Sequence, residues 1–367
     1  MKQFFDYSNS GFEVRDEIVN AHRESWKTIS NSGSFWSGEE RVEIAQQARS
    51  ARLQRRELPF NRSYPSCSLS DGALETTHTI AADAHKIDKV WADNQIAKLG
   101  NGAYVEIASI VATVSAIDAF SEALGRDHED FPAPQPGKPN GDQNPNVKDI
   151  GAYVPMMEPW KGPNVARAFS LVPTANQLFF SNVQQMYASH GGGFSEMVWK
   201  GPLTRPQAEL LAARVSSANE CFYWTTSHIL LLRESSKAIS QEVNLQSTVS
   251  GEDADLIPAG AELIEFGEAL SLGSDNLGIT RKKLLDKLNK EAFVEAASIA
   301  AIFNGLVRTA DSSGIPLDDS TKSASETFRA DLGLNSFPGA ANTERNTLKN
   351  GGKLVWPNST SHQEILN

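Results

Sequence analysis

Cysteine is nearly absent from this chain. In 367 residues there are two, Cys67 and Cys221. That scarcity excludes a disulfide framework and a thiolate-rich metal site, and it makes a reducing, cytoplasmic setting the expectation. A basic surface is lacking too. The formal net charge of −11 argues against nucleic acid or an anionic membrane as partner, because both demand positive charge. The N-terminal stretch has one lysine and then polar and acidic residues where a secretory signal needs an apolar core. No unbroken apolar run of about 18 residues occurs, so no membrane span is expected. Strand-like alternation is missing as well. Every long periodic segment repeats at helical spacing, and the expected fold class is all-α.

What is present begins with a helical pattern over 14–29. Ser37 and Glu40 then form a capping box that opens a helix running through Arg56. Its Arg49, Arg52, Arg55 and Arg56 read as a solvated face or a set of ion pairs, with an anion site as the minority reading. Residues 59–71 read as a loop containing Cys67, and helices follow over 74–91 and 104–125. Between 131 and 147, Pro132, Pro134, Pro136, Pro139 and Pro145 cannot build a packed element, so this stretch is a linker or an ordered strap. Further helices are expected over 174–189, 261–270, 280–289 and 291–310, and a loop-rich tail with docking Phe337 and Trp356 over 320–367. His190 reads as a last-turn residue, and Gly191–Gly193 as a helix-ending turn.

The segment 104–125 matches 293–314 without a gap, pairing Val105 with Val294, Glu106 with Glu295, Ala108 with Ala297, Ser109 with Ser298 and Ile110 with Ile299. The capping boxes extend the match, since Ser37 and Glu40 align with Thr204 and Gln207. The chain therefore reads as two tandem helical bundles forming an internal pseudo-dimer: 1–130, a linker at 131–150, 151–319, and the tail 320–367. In this register Gln54 stands opposite Cys221 and Asn61 opposite His228, leaving the first copy without site residues.

Chemistry concentrates in 204–234. Thr204, Pro206 and Gln207 signal a helix start. On a helical wheel Cys221, Trp224 and His228 fall within roughly 60° of one another, with Ser217 and Thr225 beside them and Tyr223 and Phe222 adjacent. Glu209 lies about 120° away and joins them only if the helix breaks near Ala218 and Asn219. A thiol, an imidazole and a carboxylate so gathered would let Cys221 act as nucleophile, with His228 handling its proton and Glu209 orienting the ring. The plainer alternative is a buried thiol among aromatics and a core histidine. Asn304 and Arg308, four apart, either point at this site or serve as helix-end and ion-pair residues.

Glu209, followed by Asn219 to His228, resembles the signature of the carboxymuconolactone decarboxylase and AhpD-like alkyl hydroperoxidase superfamily, particularly its peroxidase-related branch. There a glutamate precedes Cys-x-x-Cys-x-x-x-His. Cys221 matches the first cysteine, His228 the histidine and Glu209 the glutamate, while Trp224 replaces the second cysteine and removes any dithiol cycle within the motif. The resemblance implies a helical bundle that assembles into homo-oligomers. It implies either a one-cysteine, peroxiredoxin-like antioxidant peroxidase or a decarboxylase-type reaction. In the first, Cys221 reduces a hydroperoxide and an external thiol reductant, or Cys67, resolves the sulfenic acid. In the second, His228 and Glu209 alone move protons, and Ser217, Tyr223 and Trp224 line the pocket in both. A degenerate binding or assembly module is the third reading. No cofactor and no metal are expected, and the partner is a small-molecule substrate.

Overall fold

The computed structural model describes residues 4–55, 67–190 and 199–344. Among them fourteen α-helices account for nearly all regular structure. They are Asp16–Ser30 (α1), Gly38–Gln54 (α2), Asp71–Asp83 (α3), Lys89–Leu99 (α4), Asn101–Ala123 (α5), Pro173–Met186 (α6), Arg205–Ala218 (α7), Phe222–Ala238 (α8), Ser247–Ser250 (α9), Gly260–Leu272 (α10), Leu277–Lys287 (α11), Lys290–Ser313 (α12), Asp319–Asp331 (α13) and Ala340–Glu344 (α14). The chain is all-α. The one sheet is a two-residue antiparallel ladder pairing Val147 with Met157 and Lys148 with Met156.

Local chemistry explains the helix starts. Both expected capping boxes form, Ser37 with Glu40 ahead of α2 and Thr204 with Gln207 ahead of α7, each satisfying two otherwise orphaned N–H groups. Asp88 accepts from Trp91 N at 2.8 Å and so starts a new helix where the sequence pattern suggested one continuous helix over 74–91.

The centre of the protein is the packing of α5 against α12, the most extensive helix–helix contact. Both helices are apolar and buried around nearly their whole circumference, as helices must be when other helices cover every face. Tyr104 donates to Ser312 O at 2.7 Å, and Gly305 meets the carbonyl of Ala112 halfway along, so the two run antiparallel. By length and composition alone α5 and α12 could cross a membrane, but their apolar windows lie entirely inside the protein. One hydrophobic core runs continuously from Phe5 to Ala340, joining the helices on both sides of the linker. The repeated glutamates do similar work: Glu106 accepts from Phe35 N and Glu295 from Leu203 N, both at 2.8 Å, each tying its long helix to the loop before a capping box.

Of the two readings of the Pro-rich stretch the structure shows the strap, with Gln135 N donating to Ser30 O and Gly141 N to Ser34 O, both at 2.8 Å. Two expectations need correction. The tail opens with the 13-residue helix α13 instead of loop: Phe328 and Thr321 supply a buried face that sequence polarity concealed. Phe337 does pack against the core, and Trp356 lies outside the described residues. The ungapped register also fails beyond residue 51, because α2 continues to Gln54 whereas its counterpart α7 ends at Ala218. Gln54 is thus the last residue of a helix and no structural equivalent of Cys221. Asn61, Arg56 and Gly191–Gly193 lie outside the described residues. The helix after α2 carries an imidazole of its own, with His78 Nε2 3.0 Å from Gln47 Oε1.

Candidate functional site

The break on which the site depends is present. α7 closes with Cys221 N donating to Ser216 O at 3.0 Å and Glu220 N to Ser217 O at 2.9 Å, the paired bonds of a Schellman ending. Glu220 takes the left-handed conformation this ending requires, φ +54°, a position where glycine is usual. The chain turns, and Cys221 becomes the N-cap of α8. Glu209 on α7 now faces His228 on α8.

These two side chains are fully buried and joined at 2.5 Å, Glu209 Oε2 to His228 Nδ1. The other carboxylate oxygen, Oε1, holds Arg205 Nε at 2.5 Å one turn earlier on α7 and accepts from Tyr187 OH at 3.0 Å. Burial alone would push the Glu209 carboxyl up. The charges of Arg205 and His228, with the hydrogen bonds from His228 and Tyr187, outweigh it and hold the group below its ordinary value. Glu209 is therefore a carboxylate, Nδ1 carries the proton it shares with that carboxylate, and the tautomer follows from this bond. His228 Nε2 is buried with no hydrogen-bond partner. Three rings surround the imidazole: Phe303 edge-on at 4.5 Å, Trp224 tilted at 5.1 Å and Tyr187 edge-on at 5.8 Å between centroids. The result is a buried aromatic box around Nε2.

Cys221 sits elsewhere. Its side chain is fully buried, Sγ lies 3.9 Å from Val307 O, and the charged group beside it is the Asp311 carboxyl. No hydrogen bond joins it to His228, and at 1.5 Å rise per residue the seven intervening steps separate the two Cα atoms by about 10 Å along the axis. Burial first, then the Asp311 charge, pushes the thiol well above its ordinary value. The backbone N–H groups of Trp224 and Tyr223, which face the N-cap position, lower it but are outweighed. Alkylation of Cys221 in the folded protein is expected to be negligible at pH 7 and fast only after denaturation. Mass spectrometry after timed iodoacetamide exposure, in a Cys67→Ser background, checks this; rapid native-state labelling would refute the assignment.

The remaining expected residues divide. Trp224 contributes its ring to the box while Nε1 donates to Leu306 O at 2.8 Å. Tyr223 turns away, donating to Asp318 Oδ2 at 2.7 Å. Ser217 is buried at the end of α7. Asn304 and Arg308 do not approach His228 by hydrogen bonds. Arg308 donates to Ala81 O at 2.7 and 2.9 Å and to Asn304 O at 2.5 Å. Cys67 is half-buried and free of any disulfide. The arginine series on α2 is an ion-pair cluster: Arg49 grips Asp118 with two bonds of 2.8 Å, and Arg52 reaches Glu122 at 3.4 Å.

Sequence reasoning missed Tyr187, Arg205 and Asp311. Arg205 was readable as the i−4 partner of Glu209, and Asp311 as the acid opposite Glu122 in the repeat. Tyr187 comes from the end of α6 and carries no local signal.

Asp311 has a consequence for stability. Burial raises its carboxyl from 3.8 to about 7, opposed by the hydrogen bond with Cys221 and the charge of Arg308. The native state then holds a proton that the unfolded chain releases, so this contribution is complete below pH 3.8 and is lost as pH rises to about 7. Its loss amounts to about 2–4 kcal/mol. Urea unfolding of wild type and Asp311→Asn across that range is expected to show the wild type losing stability relative to the variant; parallel curves would refute the shift.

No family model, curated protein or solved structure matches this chain.

Proposed function

We propose that the chain is a lyase- or decarboxylase-type enzyme working by proton transfer, with His228 Nε2 as the general base and acid and Glu209 as the group that orients and charges the imidazole. The observation that carries this reading is the unpartnered Nε2 at the closed end of a Glu209–His228 pair. A buried nitrogen normally finds a partner, and this one faces only aromatic rings. In the neutral ring it presents a lone pair; once it takes a proton, the Glu209 carboxylate 2.5 Å from Nδ1 stabilises the imidazolium. Arg205 and Tyr187 keep Glu209 ionised for that task. On this reading the rings around Nε2 would part to admit a small, largely apolar or planar substrate. The motif resemblance gives the reaction type, since the related decarboxylase chemistry runs on a histidine and a glutamate with no cysteine pair.

The one-cysteine peroxidase reading draws on the same motif, but it needs His228 at the thiol, and the thiol has Asp311 instead. On this proposal Cys221 packs, and the two tandem bundles form a pseudo-dimer in which the second carries the site, in a cytoplasmic homo-oligomer. The complete burial of His228 and Glu209 favours one rival, a degenerate assembly module in which the network is a strut. Deuterium exchange at the acidic carbon of small lactone acids separates them. Wild type and Cys221→Ala are expected to catalyse exchange, and His228→Gln to lose it. No exchange by any form supports the strut; loss in Cys221→Ala with retention in His228→Gln overturns the proposal.

A further inference from the structure

We propose that Tyr187 is the movable wall of the His228 site, swinging aside to admit substrate to Nε2 and held shut by Trp199, which Glu295 latches in place. The inference rests on the reading that Nε2 is the working atom, and it names the ring through which that atom is reached.

A closed box opens where its walls are held least. Phe303 belongs to the middle of α12 and is 0% exposed, as is His228 itself. Trp224 is 4% exposed, and its indole is pinned by the 2.8 Å bond from Nε1 to Leu306 O. Tyr187 is placed differently. It follows the last residue of α6 with backbone angles of φ −142° and ψ −58°, outside the helical range, and its 7% exposure is the largest of the three rings around the imidazole. Its departure also leaves no buried group stranded. When the hydroxyl lets go of Glu209 Oε1, that oxygen keeps Arg205 Nε at 2.5 Å, and the hydroxyl passes to water. Opening at Trp224 would instead break a bond to the α12 backbone, and opening at Phe303 would require α12 to move.

Trp199, 8% exposed, packs on Tyr187 with ring centroids 5.3 Å apart. Two groups hold this indole. Its Nε1 donates to Glu295 Oε1 at 2.8 Å, and the Arg205 guanidinium stands over the ring with Cζ 5.2 Å from the centroid. Glu295 is fixed in turn by accepting from Leu203 N at 2.8 Å, and Gly201 leaves room for it, since a Cβ there would overlap the carboxylate. Arg205 therefore serves both Glu209 and Trp199, so the ion pair of the site also braces the latch. Displacing one side chain at the rim is a local opening, which costs far less than unfolding the core.

The test is carbethoxylation of His228 by diethyl pyrocarbonate in the full chain at pH 7, located by tandem mass spectrometry. The reagent is a small electrophile that must reach the Nε2 lone pair. His78, also 0% exposed, is followed in the same sample and reports global unfolding. Slow labelling of wild-type His228 is expected. Tyr187→Phe removes only the hydroxyl tether and Trp199→Phe only the latch bond and part of the ring; each is expected to speed labelling about fivefold, as the loss of one hydrogen bond does. Tyr187→Ala, which removes the wall, is expected to speed it about tenfold or more, with Trp224→Phe unchanged and His78 unchanged throughout. Wild-type rates in both Tyr187 variants, as large a rise in Trp224→Phe as in Tyr187→Phe, or a rise that His78 shares equally would each overturn the proposal. Tyr187→Phe keeps the ring, so the comparison holds even if Tyr187→Ala fails to fold. Labelling needs no turnover. Faster labelling without deuterium exchange keeps Tyr187 as the wall and removes the proton-transfer reading, whereas exchange with unchanged labelling removes the wall alone.

Discussion

Glu209→Ala is expected to lower stability by about 3–5 kcal/mol, because it strips a buried network of its only carboxylate. Arg205 is 3% exposed and Tyr187 and His228 are buried, and all three address the same two oxygens. Removing the carboxylate takes the Glu209 ion pair from Arg205, and leaves the Tyr187 hydroxyl and His228 Nδ1 without the acceptor they share, all among buried side chains. The cost is therefore that of uncompensated buried polar groups rather than the modest net worth of one bond. Glu209→Gln keeps an acceptor and should cost about half as much or less, yet it cannot stabilise an imidazolium, so it is expected to abolish deuterium exchange while remaining folded. Urea denaturation of both variants checks the ordering. A loss below about 1 kcal/mol in Glu209→Ala would mean that the network behaves like a surface pair and that Arg205 finds compensation elsewhere.

The second large effect is expected at Gly305→Val. A Cβ at this position would stand 2.6 Å from Ala112 O and from the Phe179 ring. The phenyl ring can rotate, but the carbonyl belongs to the interior of α5 and moves only if the whole helix does. Since α5 and α12 form the most extensive helix–helix contact, the strain spreads through the main core, and a loss of about 3 kcal/mol is expected. Gly278→Ala serves as the control: nothing lies near its Cβ, so in helix α11 this change should be neutral or stabilising by a few tenths up to about 1 kcal/mol. Thermal unfolding of both decides it, and equal Tm values would refute the close-approach argument.

The sequence by itself determined the helices and several of their starts. Ser37 and Thr204 are side chains that satisfy N–H groups a few residues away, and such local bonds need no tertiary context; the equivalent signal at Asp88 was there but went unread. It also marked 104–125 and 293–314 as a repeated pair of helices. The pairing of Glu209 with His228 was legible once a helix break was allowed, and the small polar residues before Cys221 signalled where that break lies.

Only the tertiary structure decided what each site residue meets. Cys221 and His228 share a face on an ideal wheel, but Cys221 ends up as an N-cap pressed against α12, which brings Val307 and Asp311 to the thiol. The imidazole is met instead by Phe303 from α12 and Tyr187 from the end of α6. Periodicity reports which side of a helix is buried; it carries no information about which distant segment buries it. The same limit hid α13, whose polar sequence gains a partner only when α8 is already in place.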